Sequence, residues 1–175
     1  MNKKKKSPRR TPSRDEKYMA LAMWIASFSK DPDTQIGAVI ISAENKPLGW
    51  GYNGPPRQIK DIDVNWDRPD KYDFVEHAEE NAIDHSESDL EGSILYVTAK
   101  PCKKCMLKIV KQGIHEVIYF PFKSKDKLSS INDPATYNRV DEISRLGNVQ
   151  LKKFNGNLNW MRDRMQHMET IGVFG

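Results

Sequence analysis

A chain of 175 residues, 38% hydrophobic and 30% charged, is long enough for one domain with a sizeable core. No run of about 18 apolar residues occurs, so no membrane-spanning helix is expected; the basic start has no apolar segment behind it, so a secretory signal is not expected either. The formal charge of +4 is unevenly placed: residues 1–17 hold eight of the 28 Lys and Arg against Asp15 and Glu16, leaving the remaining chain with 20 basic and 22 acidic residues.

Residues 1–13 are rich in Lys, Arg, Pro and Ser and read as a disordered tail, with the folded domain spanning 14–175. Such a tail fits a nucleic-acid contact or a nuclear address, and equally a simply solvated terminus. Ser13-Arg14-Asp15-Glu16 has the form of a capping box. Tyr18, Leu21, Ala22, Ile25 and Phe28 follow at helical spacing, predicting a first helix to about Ser29 that Asp31-Pro32 ends. The apolar run Ile36–Ile41 reads as a buried strand. Glu44-Asn45-Lys46 is a turn, and Leu48, Trp50 and Tyr52 alternate with Gly49 and Gly51 as a hairpin partner.

Residues 53–74 show no periodicity and contain Pro55, Pro56 and Pro69. A loop that long inside one domain is usually functional or disordered. A second helix is expected from near His77 to before Gly92. Ile94–Val97, a helix with Met106, Ile109 and Val110 inward, and Val117–Tyr119 form a β-α-β unit, with Gly113 as the helix C-cap. Helices over 133–146 and 158–168 flank a last strand over 149–154. The class is α/β: a single three-layer domain with a mixed sheet between helices.

The two cysteines of the chain lie in Pro101-Cys102-Lys103-Lys104-Cys105, and His77-Ala78-Glu79 lies upstream. The combination H-x-E with P-C-x-x-C is the zinc deaminase signature. One imidazole and two thiolates, His77, Cys102 and Cys105, supply three ligands and leave one position of a tetrahedral Zn²⁺ for water. Glu79 is the carboxylate beside that water. Cys102 and Cys105 share one face in the first turn of a helix, where the helix dipole favours thiolates. His77 and Glu79, two apart, converge only if the metal lies end-on, so two helix N-termini are expected to face one ion. A redox pair or half of a structural zinc site would also use Cys-x-x-Cys. Neither requires His-x-Glu upstream.

Further pieces of the chain resemble the deoxycytidylate (dCMP) deaminase family: Ser29-Lys30-Asp31-Pro32, Gln35–Ile40, Gly51-Tyr52-Asn53-Gly54, His77–Ile83, Leu95–Thr98 and the cysteine motif. The resemblance implies a five-stranded sheet flanked by helices, hydrolytic deamination of dCMP to dUMP with Glu79 as proton shuttle, and a homo-oligomer. It implies that Asn53 contacts the sugar hydroxyl and that the backbone around Ala78 contacts the pyrimidine. It also implies dCTP and dTTP as effectors, with Mg²⁺ accompanying such a nucleotide. The phosphate needs a cationic cradle. Lys30, Arg57 and Lys123 are candidates, with Phe122 as a ring neighbour, although each charge also fits a plain solvated surface. A polynucleotide or tRNA deaminase using the tail ranks lower, because the body has no basic surplus. A non-catalytic module with structural zinc would have no need of Glu79. Thiols placed for metal and no disulfide framework point to a cytoplasmic location.

Overall fold

The computed structural model describes residues 9–121 and 134–172, apart from the side chains of Pro134, Thr136 and Tyr137. The first eight residues of the basic tail, and Phe122 and Lys123 after the fourth strand, lie outside the described residues.

Helix α1 spans Arg14–Ala26, and its capping box forms as the sequence predicts. The Glu16 N–H donates to Ser13 Oγ at 3.2 Å, and the Ser13 N–H donates to Glu16 Oε2 at 2.8 Å. The helix ends three residues before the expected Ser29, because 27–29 turn off through N–H bonds to carbonyls only three residues back. Strands β1 (Gly37–Ile41) and β2 (Pro47–Tyr52) form the expected hairpin, with Asn45 at φ 67° in its turn. Two 3₁₀ turns, Asp61–Asp63 and Asp70–Asp73, break the long loop that follows. Then come α2 (Ala78–Asp84), β3 (Ile94–Val97), α3 (Lys103–Lys111), β4 (Glu116–Tyr119), α4 (Pro134–Leu146), β5 (Gln150–Lys153) and α5 (Asn159–Thr170). Helix α2 is short, ending at Asp84 with His85 as its C-cap, well before Gly92. The Ser86 hydroxyl, bonded to the Leu48 carbonyl at 2.9 Å, carries the chain out of the helix.

The strands make one mixed sheet in the order β2-β1-β3-β4-β5. The β2–β1 and β1–β3 pairs are antiparallel, and β3–β4 and β4–β5 are parallel. Alternation along the strands sorts the core into two layers. Ala38, Ile40, Leu95, Val97 and Val117 pack with Ala82, Met106, Ile109 and Val140 of α2, α3 and α4. Val39, Ile41, Tyr96 and Ile118 pack with Met19, Ala22 and Ile25 of α1 on the opposite face. Each large aliphatic side chain so buried contributes about 1.5–3 kcal/mol over exposure. The buried Tyr96 keeps its hydroxyl satisfied by donating to Asp15 at 2.8 Å.

Gly49 and Gly51 of β2 face α2 with almost no clearance. A Cβ on Gly51 would lie 2.4 Å from the Ala82 nitrogen and 2.6 Å from the Ala78 oxygen. The alternating glycines therefore set how closely α2 approaches the sheet, and so the position of His77 and Glu79 at its start. One end of the sheet gathers the chain's chemistry. Tyr52 of β2 pairs with Gly37 of β1, and Val97 with both Ala38 and Tyr119. The segments entering β1, leaving β2 and leaving β3 thus meet at the carboxyl ends of the parallel strands.

Candidate metal and catalytic site

His77 is the N-cap residue of α2 and Cys102 the N-cap residue of α3, both in extended backbone. A bridge between Gly54 and Glu76 fixes the approach to His77. Pro101 precedes Cys102, and one turn into α3 comes the fully buried Cys105. The two N-termini converge as the motif spacing predicts. His77 Nδ1 lies 3.5 Å from Cys102 Sγ and 3.3 Å from Cys105 Sγ.

Among the described residues, this is the one group of three or more His, Cys, Asp or Glu whose donor atoms, all within 4.8 Å of one another, suit a single metal ion. Tetrahedral zinc, with Zn–S about 2.3 Å and Zn–N about 2.0 Å, places ligand atoms about 3.4–3.8 Å apart, so the donor set fits that ion. The electrostatics agree. The thiol of Cys105 donates to Cys102, and with the His77 contact this holds the Cys102 thiol far below the usual range, at about 4. The same contact, with burial, holds Cys105 well above it. The bond to Cys102 raises His77 to about 9 despite burial. A dication taken up here would displace the thiol and imidazole protons that remain.

Glu79 sits in the first turn of α2, 4% exposed. Burial raises its pKa to about 7, outweighing the pull of His77. A carboxyl with that value both gives and takes a proton near neutrality. Its neighbour Glu80 turns away, accepting the His77 N–H at 3.3 Å and pairing with Lys104 of α3 at 2.8 Å. That pair ties the two ligand-bearing N-termini together from behind.

A pocket opens over this cluster. His77, Glu79, Cys102, Asn53 and Ala78 are among the residues that line it. Lys30 and Arg57 lie outside it. Lys30 is 70% exposed and pairs with Asp61, and Arg57 borders a separate depression with Trp50, Tyr52 and His85. Among the described residues, the cations that line this pocket are Arg68, Lys71 and Lys100. Arg68 donates to Tyr72 Oη at 2.8 Å and to Thr34 Oγ1 at 3.0 Å. Lys100 pairs with Asp141 of α4 at 2.7 Å and lies over the Tyr119 ring. Lys71 is buried against Asp31. Sequence reasoning left these residues without a role. The available signal was two cations in the long loop just upstream of His77 and one just before Cys102.

The family model of the cytidine and deoxycytidylate deaminase zinc-binding region matches residues 12–121. Deoxycytidylate deaminase of Homo sapiens is 39% identical over 146 residues, covering 79% of this chain and 78% of that protein. The Mus musculus enzyme is 38% identical over the same span. The crystal structure of the dCMP deaminase from cyanophage S-TIM5 in complex with dCMP and dUMP matches with a TM-score of 0.61 at 25% identity, covering 83% of this chain and 100% of that one.

Proposed function

Because this chain belongs to the cytidine and deoxycytidylate deaminase family, we propose that it hydrolyses dCMP to dUMP and ammonia with a zinc ion held by His77, Cys102 and Cys105. The observation that carries this reading is the buried Glu79 beside a three-donor cluster on the floor of a cation-lined pocket. When bound, the ion supplies positive charge and lowers the pKa of water toward neutrality.

The chain's own residues do the rest. Glu79 accepts a proton from the attacking water and delivers it to N3 of the cytosine ring. Attack at C4 then forms a tetrahedral carbon. Glu79 next moves the second water proton to the departing amine, so water and dCMP become dUMP and ammonia. A buried carboxyl beside the donor cluster is suited to both transfers. The backbone around Ala78 contacts the pyrimidine, and Asn53 holds the sugar hydroxyl. Arg68 and Lys100 receive the phosphate, with Lys123 as a further candidate and Phe122 as a neighbour of the ring, both from the chain after β4.

A homo-oligomer fits the exposed Trp24, Phe28 and Trp50, of which Phe28 and Trp50 meet edge to face. Regulation by dCTP and dTTP is carried over from the family resemblance. Mg²⁺ gains no support, since the described residues offer no second cluster of metal donors. No described helix is long and apolar enough to cross a membrane. The free thiols of Cys102 and Cys105 favour a reducing compartment such as the cytoplasm. The test is ammonia release by zinc-loaded protein on dCMP, CMP, dCTP, deoxycytidine and single-stranded DNA in parallel. Selective turnover of dCMP supports the proposal, and turnover of DNA alone refutes it.

A further inference from the structure

The pocket wall carries a buried ion pair that the deamination chemistry does not use. Lys71 Nζ lies 2.8 and 3.1 Å from the two carboxylate oxygens of Asp31, with the side chains 3% and 2% exposed. Asp31 also accepts the backbone N–H groups of Asp33 at 2.9 Å and Thr34 at 3.0 Å. It further accepts one amide N–H of Asn53, at 3.3 Å. The second amide N–H of Asn53 goes to the Thr34 carbonyl at 2.9 Å, while Asn53 Oδ1 accepts the Ile36 N–H at 2.7 Å. Two acceptors on one side and an N–H on the other allow one orientation of the amide group. The Asn53 main chain is engaged as well, with Ile36 O and Ser29 Oγ. A side-chain amide has two donor hydrogens and two acceptor lone pairs on its oxygen. Both hydrogens are taken, and one lone pair on Oδ1 is left.

We infer that the Lys71–Asp31 pair is a positioning device that makes Asn53 an acceptor only, so that the substrate must present a hydroxyl hydrogen there and a sugar with that oxygen esterified or removed is rejected. The inference rests on the dCMP deaminase reading and deepens it. The 3′-hydroxyl is the one free hydroxyl of dCMP. At an internal residue of a polynucleotide the same oxygen is a phosphodiester with no hydrogen, and it would meet Oδ1 acceptor to acceptor. Selection of a free nucleotide over a chain is thus written into the polarity of one amide group. Lys71 matters because its ammonium donates to both oxygens of Asp31 and so holds in place the carboxylate that accepts the Asn53 N–H. A displaced Asp31 would release an Asn53 hydrogen and let the amide turn.

Two measurements on the unmutated protein test this. First, kcat/KM for dCMP is compared with that for 2′,3′-dideoxy-CMP, which removes the donor without adding bulk, and for 3′-O-methyl-dCMP. A loss of at least about tenfold for each is expected, because an unpaired polar group is left at the wall. A dideoxy analogue within about twofold of dCMP overturns the inference. Second, NMR of ¹⁵N-labelled protein should show both Asn53 side-chain amide hydrogens exchanging at least about tenfold more slowly than those of an exposed amide. Fast exchange of either overturns the hydrogen-bond assignment without reference to turnover. Lys71→Met, with Asp31→Asn as a second variant, should bring the dCMP-to-dideoxy ratio toward one at unchanged zinc content. An unchanged ratio in a folded variant removes the positioning role. If neither variant folds, the exchange measurement decides. Absence of any dCMP turnover by the unmutated protein would instead sink the deaminase reading, leaving the exchange arm to judge the network.

Discussion

Gly51→Ala adds one methyl group at the contact that seats α2. The new Cβ would stand 2.4 Å from the Ala82 nitrogen, 2.6 Å from the Ala78 oxygen and 2.8 Å from the Asn81 carbonyl carbon. All three are backbone atoms, so no flexible side chain gives way. Restoring an ordinary contact of about 3.4 Å requires α2 and the sheet to part by about 1 Å. Overpacking of this kind costs about 1–3 kcal/mol, here at the upper end, which for a domain of this size lowers Tm by about 6–12 °C. The larger effect is on chemistry, since Ala78, Glu79 and the N-cap His77 move with the helix. A displacement of about 1 Å at reacting groups costs about 10²-fold in rate. Gly54→Ala is the control, because its Cβ would meet only Tyr52 ring carbons at 3.8 and 4.0 Å. The assay is thermal unfolding with dCMP kcat/KM at full zinc loading for both variants. A Gly51→Ala protein with parental Tm and kcat/KM would refute the idea that the glycine contact sets the site.

Three further outcomes are expected. Lys71→Met leaves the Asp31 carboxylate buried without its cation, and should destabilise the fold by about 3–5 kcal/mol in denaturant unfolding; a change under about 1 kcal/mol contradicts the ion-pair reading. Hydrogen bonds from Arg10, then from the Ser13 and Asn157 N–H groups, hold Glu16 at about 2, below its unfolded value near 4.5. Its stabilisation is therefore complete above about pH 4.5 and is lost as pH falls through about 2. Glu16→Gln should flatten that part of the stability profile, and an unaltered acid limb would count against the assignment. Cys105→Ala should leave the purified protein without stoichiometric zinc by elemental analysis; full retention would remove Cys105 from the ligand set.

The sheet was legible because β-branched runs such as Ile36–Ile41 and Ile94–Val97 are too short and too apolar for surface helices. The metal cluster was legible because its ligands sit at local spacings that only helix N-termini reconcile. The pocket wall was not. Arg68 and Lys71 lie in a segment of 3₁₀ turns with no period to read, and lysine is almost never buried unless paired, so no sequence rule places Lys71 inside. Its partner Asp31 is 40 residues away, and nothing local links them. The reading of Lys30 and Arg57 as cradle candidates rested on charge alone. Charge in a loop carries no direction, and Lys30 spends its own on Asp61. The early end of α2 was missed because Ser86 Oγ and Asp89 Oδ1 accept the backbone N–H groups of Ser88 and Glu91, which a count of apolar positions does not register.

The most direct measurement pairs zinc content with dCMP turnover in the parent protein and in Glu79→Gln. The predicted result is one zinc per chain in both, with ammonia release reduced by at least about 10²-fold in the variant. Turnover of dCMP by zinc-loaded Glu79→Gln at the parental rate would contradict the assignment of proton transfer to the buried carboxyl of α2.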